Sequence, residues 1–280
     1  MELGRYNTLE ILREADHGFY LGDEEGNDVL LPKKWALDNF EIGAQVRVFV
    51  YKDSYDRPIA TTLEPLGEVG DFVKLKVKQV SNVGAFADWG LEKDLLIPYK
   101  EQPKERLEEA QEVLVFIYYD EVTERIAATT RLNIVLDNDD LDIEEGEEVE
   151  IKIWKRTDLG YSVVVNDEYL GLLYHQDIFE KVEIGETRNA FVKRIKSGQN
   201  SKQIDISLRK FVGEMVEPDA QFILDKLQKE KGFIPFNDKS SPEVIKAEFK
   251  MSKKAFKRAV GNLYKKRKIK IIANGIRLAD

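Results

Sequence analysis

The chain has 280 residues, 42% of them hydrophobic and 34% charged, a balance ordinary for a globular protein and a length too great for one small domain. It contains no cysteine, which excludes disulfides and thiolate metal sites, and no apolar run approaches the ~20 residues that a membrane-spanning helix needs. The net charge of −9 is uneven: from Glu217 onward there are 16 Lys+Arg against 8 Asp+Glu, leaving 27 against 44 before it, so a basic tail follows an acidic body.

The first elements form a repeat. Asp16-His17-Gly18-Phe19-Tyr20-Leu21 recurs as Asn82-Val83-Gly84-Ala85-Phe86-Ala87 and as Asp158-Leu159-Gly160-Tyr161-Ser162-Val163. Each copy is followed by an apolar run, Val29 to Pro32, Leu95 to Pro98 and Leu170 to Leu173, and then by two further strands. Alternating apolar residues, turn glycines and strands of about five or six residues predict a small closed antiparallel barrel in each copy. The copies occupy residues 1–64, 66–131 and 146–213, with Pro65-Leu66-Gly67 as the first joint. Residues 132–145 carry Asp137, Asp139, Asp140 and Asp142 and read as an acidic linker, since clustered like charge disfavours compaction. Helical pieces are expected only between the third and fourth strands, as at Pro103 to Ala110. Val46, Val48, Val113, Val115 and Ile117 are expected in the barrel cores. The acidic N-terminus lacks the basic and apolar regions of a signal peptide, so a cytoplasmic location and no membrane partner are expected.

The tail, residues 217–280, changes period. Pro218 suits the first turn of a helix with apolar Phe222, Ile223 and Leu227, stopped near Gly232. Ser241-Pro242-Glu243 reads as the capped start of a second helix carrying Val244, Ile245 and Phe249. Ser252 can cap a third, with Ala255, Phe256, Ala259, Val260 and Leu263 on its apolar stripe. Lys268 to Ile272 and Ile276 to Leu278, joined at an Asn274-Gly275 turn, predict a hairpin. Three helices and a hairpin are the pattern of an α+β winged-helix domain.

Gln79 to Gly90, with Asn82-Val83-Gly84-Ala85-Phe86-Ala87 at its centre, resembles the opening of the S1 RNA-binding domain, a barrel of the oligonucleotide-binding (OB-fold) type. Gly171-Leu172-Leu173-Tyr174-His175-Gln176-Asp177-Ile178 is similar to that family's third-strand signature. S1 domains commonly carry an Asp and then an Arg in the turn between strands four and five, places held here by Asp53 with Arg57 and Asp120 with Arg125. Three tandem S1-like barrels followed by a winged helix resemble the conserved virulence factor B family of bacterial RNA-binding proteins, and the resemblance covers nearly the whole chain. It implies single-stranded RNA as the partner, a role in post-transcriptional regulation of gene expression, and no reaction. The chain departs from the S1 pattern where His17, Val83 and Leu159 replace an aromatic before the motif glycine. Ser162 stands where the second repeat has Phe86, and the usual third-strand His position is placed on Leu31, Ile97 and Tyr174.

Strand aromatics on such barrels can stack on bases, which singles out Phe86, then Tyr20 and Tyr174; the plain alternative for each is core packing. Arg57 and Arg125 carry the fork and flat face that suit phosphate or base, or else pair across their turns. The third repeat holds a basic run of Lys193, Arg194, Lys196, Lys202, Arg209 and Lys210, opposed only by Asp205. Lys253, Lys254, Lys257 and Arg258 match the exposed face of a recognition helix, and Lys265, Lys266, Arg267, Lys268 and Lys270 lead into the wing. No acidic residue lies between Glu248 and Asp280. The expectation is a strand lying along the third repeat and the winged helix, held chiefly through phosphates, with the first repeat kept away by Asp23-Glu24-Glu25 and the acidic linker. His17 and His175 are the only histidines, and no spacing places a metal, a cofactor or a catalytic group around them. Two other readings stay open: a duplex-DNA-binding transcriptional regulator, and a protein-interaction adaptor at ribosome or polymerase. The sequence shows no coiled coil that would set an oligomeric state.

Overall fold

Each repeat supplies five strands that close on themselves. In the computed structural model, which describes residues 1–178, 180–198, 201–209, 218–237, 239–272 and 274–279, the first barrel is β1 (Arg5–Ala15), β2 (Gly18–Gly22), β3 (Asp28–Pro32), β4 (Gln45–Lys52) and β5 (Pro58–Thr61). The second is β6 (Phe72–Val80), β7 (Gly84–Asp88), β8 (Leu95–Pro98), β9 (Glu112–Asp120) and β10 (Arg125–Thr129). The third is β11 (Glu148–Arg156), β12 (Gly160–Val165), β13 (Tyr169–Tyr174), β14 (Thr187–Ser197) and β15 (Lys202–Ser207). All three share one strand order, first-second-third-fifth-fourth, antiparallel except where the third strand meets the fifth.

The motif glycine has a steric cause. A Cβ on Gly84 would lie 2.3 Å from the Ile97 carbonyl oxygen, and on Gly18 or Gly160 it would lie 2.0 Å from those of Leu31 and Leu173. The obstacle is backbone of the neighbouring strand, which cannot swing aside. Each barrel also carries the same bulge in its first strand, where pairing slips between Ile11 and Arg13, Val77 and Gln79, and Ile153 and Lys155. The extra residue is Leu12, Lys78 or Trp154, and such a bulge bends the strand and sharpens its twist. Inside, Val48, Val115 and Ile117 are fully buried and Val113 nearly so, while Val46 is only half-buried.

The barrels are not independent beads. Trp89 of the second barrel packs edge-on against Phe49 and Tyr51 of the first, with ring centroids 5.7 and 6.4 Å apart, within a core that runs through both. Phe72 and Leu114 of the second barrel, Trp154 and Val164 of the third, and Leu132 and Leu136 between them form a second shared cluster. The Trp154 indole N–H donates to the Thr130 carbonyl at 3.1 Å. Residues 132–145 are therefore pinned despite their charge. Buried Asn138 donates to the carbonyls of Leu170 and Lys202 at 2.7 and 2.9 Å and accepts from the Leu170 N–H, while Asp137, Asp139, Asp140 and Asp142 stay exposed.

Pro103 to Ala110 is not helical. Short 3₁₀ turns stand instead directly after each third strand, at Lys33–Trp35, Tyr99–Glu101 and His175–Asp177. Leu107 is buried, the Gln102 side chain bridges the Ile97 carbonyl and the Leu107 N–H, and Ala110 takes a left-handed φ of 64° to bond Val77. Barrel contacts outweigh helix propensity here.

The tail forms a second unit, consisting of α1 (Pro218–Lys229), β16 (Phe233–Ile234), α2 (Pro242–Phe249), α3 (Lys253–Lys265), β17 (Ile269–Ile272) and β18 (Gly275–Leu278). Ser241 and Ser252 cap α2 and α3, accepting from the N–H groups of Val244 and Ala255, and Lys250 closes α2 with a φ of 54°. Phe222 and Val244 are exposed rather than packed. The buried face of α1 is Ala220, Ile223, Leu224 and Leu227, the spacing that one side of a helix presents. Gly275 pairs with Ile272, so it opens the second wing strand instead of sitting in the turn; a Cβ there would meet the Ile234 carbonyl oxygen at 2.2 Å. The expected boundary, between residues 213 and 217, lies outside the described residues, as does Lys210.

Replacing Gly84 by Ala is expected to cost about 3 kcal/mol, since the backbone must move. Gly26→Ala, at a φ of 87° with nothing within 4 Å, should cost about 1 kcal/mol. Urea unfolding followed by tryptophan fluorescence compares the two, and equal losses would remove the close approach as the reason for the motif.

Candidate nucleic-acid interface

Strand pairing fixes which side chains share an outer face. In the second barrel Gln79, Phe86, Leu96 and Ala127 lie in one row across β6, β7, β8 and β10. The matching rows are Arg13, Tyr20, Leu30 and Ile59 in the first barrel and Lys155, Ser162, Leu172 and Asp205 in the third. The second row is the most apolar. Phe86 is half-buried and lines a groove of about 440 Å³ together with Val83, Leu96, Pro98 and Ile126.

The other wall comes from the first barrel, through Tyr51, Lys52 and Asp56. The first repeat is therefore part of the groove, against the expectation that its acidic loop keeps it away. Asp23 in that loop is occupied locally, accepting from the N-terminal ammonium at 2.9 Å and from Asn27. Arg125 lines the groove, but its partner is Asp56 across the junction and not Asp120 across its own turn. Asp120 instead accepts the N–H groups of Val122 and Thr123. Lys93 reaches the Asp53 carbonyl at 2.7 Å and Asp56 at 3.4 Å, and Lys52 pairs with Glu124 at 3.4 Å. Arg57 is held by Asp53 at 2.7 Å with its guanidinium 5.1 Å from the Tyr55 ring, and it does not line the groove.

Tyr20 lies under the Arg13 guanidinium, 3.5 Å from its ring centroid. Tyr174 is engaged on the third barrel, where its hydroxyl donates to Asp205 at 3.3 Å and Lys196 also pairs with Asp205. It stands opposite Gly160 as Pro32 and Pro98 stand opposite Gly18 and Gly84, so its counterparts are those prolines rather than Leu31 and Ile97. Lys193 is taken by Asp177 at 2.7 Å. Of the third repeat's basic run, Arg194 and Lys202 are exposed and make no ion pair among the described residues, Arg209 is engaged, and Lys210 lies outside the described residues. On α3, Lys254, Lys257 and Arg258 are exposed and Lys253 is half-buried, with Arg258 3.5 Å from Asp219. Lys265, Arg267, Lys268 and Lys270 are exposed around the wing, and Lys266 is half-buried.

The sequence reading missed a second cavity. A cleft of about 910 Å³ lies between the second and third barrels, lined by Lys104, Arg106, Arg131, Lys155 and Arg156 with Tyr99 and Trp154. The Arg106 guanidinium lies 4.2 Å over the Tyr99 ring and the Lys155 ammonium 3.9 Å over Trp154. Desolvation pulls the Lys155 ammonium below its ordinary range. These residues come from separate segments, and no local pattern announces them. Among the described residues no group of three or more His, Asp or Glu is placed to hold a metal, and no helix is long and apolar enough to cross a membrane.

Comparison with known proteins agrees with this architecture. The S1 domain family matches residues 3–63 and 69–131, and the CvfB-like winged helix domain family matches residues 221–278. Both are nucleic-acid-binding domain types, and neither is an enzyme family. Conserved virulence factor B of Staphylococcus epidermidis is 28% identical over 99% of this chain and 94% of its own length. The protein of that name from Staphylococcus saprophyticus is 29% identical over 99% and 95%. Among solved structures, a multidomain protein with nucleic acid binding domains from Streptococcus pneumoniae TIGR4 aligns over 99% of this chain and 98% of that one, at 25% identity and a TM-score of 0.44.

Asp56 is held below its ordinary value of 3.8, first by the hydrogen bond from Arg125 and also by Lys93. A lowered folded value means that the link between the barrels is fully present above about pH 4 and is lost as pH falls through that folded value. A carboxyl-carbon NMR titration should find Asp56 titrating below 3.8 and moving upward in Arg125→Gln. An unmoved Asp56 would show that the pair is absent in solution.

Proposed function

We propose that this chain, a homologue of the conserved virulence factor B proteins over 99% of its length and a carrier of S1 domains and a CvfB-like winged helix, binds single-stranded RNA in post-transcriptional regulation of gene expression. The observation that carries the reading is the half-open apolar groove around Phe86, on the outer face of the second barrel. An unpaired base offers its flat face to such a ring, for ~1–3 kcal/mol per base and with little regard to sequence. A base inside a duplex has no face to offer.

Arg125 sits at the groove edge, where its guanidinium can turn from Asp56 to a phosphate without crossing the barrel. Tyr20 with Arg13 forms a smaller version of the same surface on the first barrel. On the third barrel Tyr174, Lys193 and Lys196 are tied to acidic partners, and among the described residues exposed Arg194 and Lys202 are better placed to meet a strand. The winged helix adds sequence-blind attraction through Lys254, Lys257 and Arg258 on α3 and the basic residues from Lys265 to Lys270, in a stretch that lacks acidic residues. The function is binding and presentation of a strand. No catalytic group takes part.

Fluorescence anisotropy of a labelled oligouridine and of a duplex DNA of equal length, across a salt series, tests this. The single strand should bind more tightly. Phe86→Ala should weaken it by about 1–3 kcal/mol, or about 5- to 150-fold, with the salt slope unchanged because stacking releases no counterions. Tighter duplex binding would move the function to DNA regulation through the winged helix. Binding to neither would leave a protein-contact role.

A further inference from the structure

We infer that the cleft between the second and third barrels is a binding site for the phosphate groups of a nucleotide ligand. Lys104, Arg106, Arg131, Lys155 and Arg156 all face it, and among the described residues none of them makes an ion pair. The carboxylate that lines it, Glu112, is taken by Lys74 at 2.8 Å. Many cations elsewhere in the body find acids, among them Arg57, Arg125, Arg188, Lys193 and Lys196, and the exposed ones that do not, such as Arg194 and Lys202, are not gathered five to a cleft. Ahead of Glu217 the chain has 44 acidic residues for 27 basic ones, so partners are in surplus. Five cations gathered in such a body with no acid paired to them repel one another, Lys155 is in addition partly desolvated, and among the described residues Arg131 has only the Lys100 carbonyl to donate to, so an entering anion relieves all three.

The shape narrows the anion. Arg106, Arg131 and Arg156 offer planar forks that match phosphate oxygens two at a time. A cavity of about 910 Å³ is far larger than one phosphate and falls within the range that nucleotide-sized ligands occupy. Tyr99 gives it a half-exposed aromatic wall, now covered by the Arg106 guanidinium that a base could displace, while Trp154 is buried beneath Lys155 as its floor.

Two sources present this chemistry. One is the strand in the Phe86 groove: Lys100 lines that groove and its neighbour Tyr99 lines the cleft, while Arg156 also borders a recess with Asp158 and His175 on the third barrel. The other is a free nucleoside triphosphate. Only the first rests on the function proposed above.

The test uses the full chain and the variant Arg106→Gln/Arg156→Gln, whose replaced side chains are exposed and outside every core. Lys33→Gln/Lys76→Gln removes the same charge from exposed sites beyond the cleft. If the strand supplies the phosphates, the cleft variant lowers the salt slope for oligouridine by about 1.4, two contacts at about 0.7 each, and the control does not. If a free nucleotide supplies them, calorimetry shows ATP binding at low salt that the cleft variant weakens about tenfold or more while the control keeps it. A cleft variant matching the control in both assays overturns the inference. A reduced slope alongside an inert Phe86→Ala would uphold the cleft and sink the groove reading, so the two fail separately.

Discussion

The arrangement of the body depends on the docking of Trp154. All three barrels carry the same bulge in the first strand, and what the extra residue does differs each time. Leu12 is left exposed, Lys78 pairs with Asp88 and Asp94, and Trp154 turns outward into the second barrel. There its ring is buried against Phe72, Leu114 and Leu132 and its N–H is satisfied by Thr130. Burying an aromatic ring of this size contributes on the order of 2–3 kcal/mol. It also fixes Lys155 and Arg156 of β11 opposite Arg106 and Arg131. Without that contact the cations would belong to two surfaces at no set distance, and a preorganised site would become a pair of dilute patches.

The charge pattern follows the same division. At the junction of the first two barrels, acids and bases neutralise each other across the gap through Arg125 with Asp56, Lys93 with Asp56 and Lys52 with Glu124. What they frame is apolar, and its open surface suits bases. At the next junction the apolar residues are used up in docking, and the rim is left cationic. Two interfaces built from equivalent barrels thus differ in chemistry. On the binding proposed above, one would take the flat ring of a nucleotide and the other its charge.

Much of this fold was legible because it rests on local rules. The motif glycines, the serine caps at Ser241 and Ser252 and the strand alternation each act within a few residues. The register of the third strand was legible too: Pro32, Pro98 and Tyr174 stand at one spacing from Gly18, Gly84 and Gly160, and counting from the glycine avoids the shift onto Leu31 and Ile97. Helical spacing likewise separates Ile223 from Phe222, since Ala220, Ile223, Leu224 and Leu227 share one side of α1 and Phe222 falls outside it. The partner of Arg125 was not legible, because Asp56 lies in another barrel and the local candidate, Asp120, is consumed by its own turn. The cleft was hidden for the same reason, its residues being joined by a tertiary contact and not by a pattern. The acidic run at 132–145 misled because charge was weighed and the interleaved Leu136, Asn138 and Ile143, which tie it down, were not.

Placing the proposed stacking surface and phosphate site in one compact unit has a consequence for selectivity. Each element alone is nearly blind to sequence, since every base has a face and every nucleotide a phosphate. A fixed separation between them is not blind to conformation. On the proposed binding, a strand would satisfy both only if unpaired where it meets Phe86 and extended enough to reach the cations beyond Tyr99, conditions that a stacked duplex does not meet. If the proposed strand is held there, any contact made by the winged helix, tethered in the same chain, would add as an intramolecular event and need not be strong. Discrimination by strand geometry, with affinity from charge, is what this combination of barrels can deliver without reading any particular base.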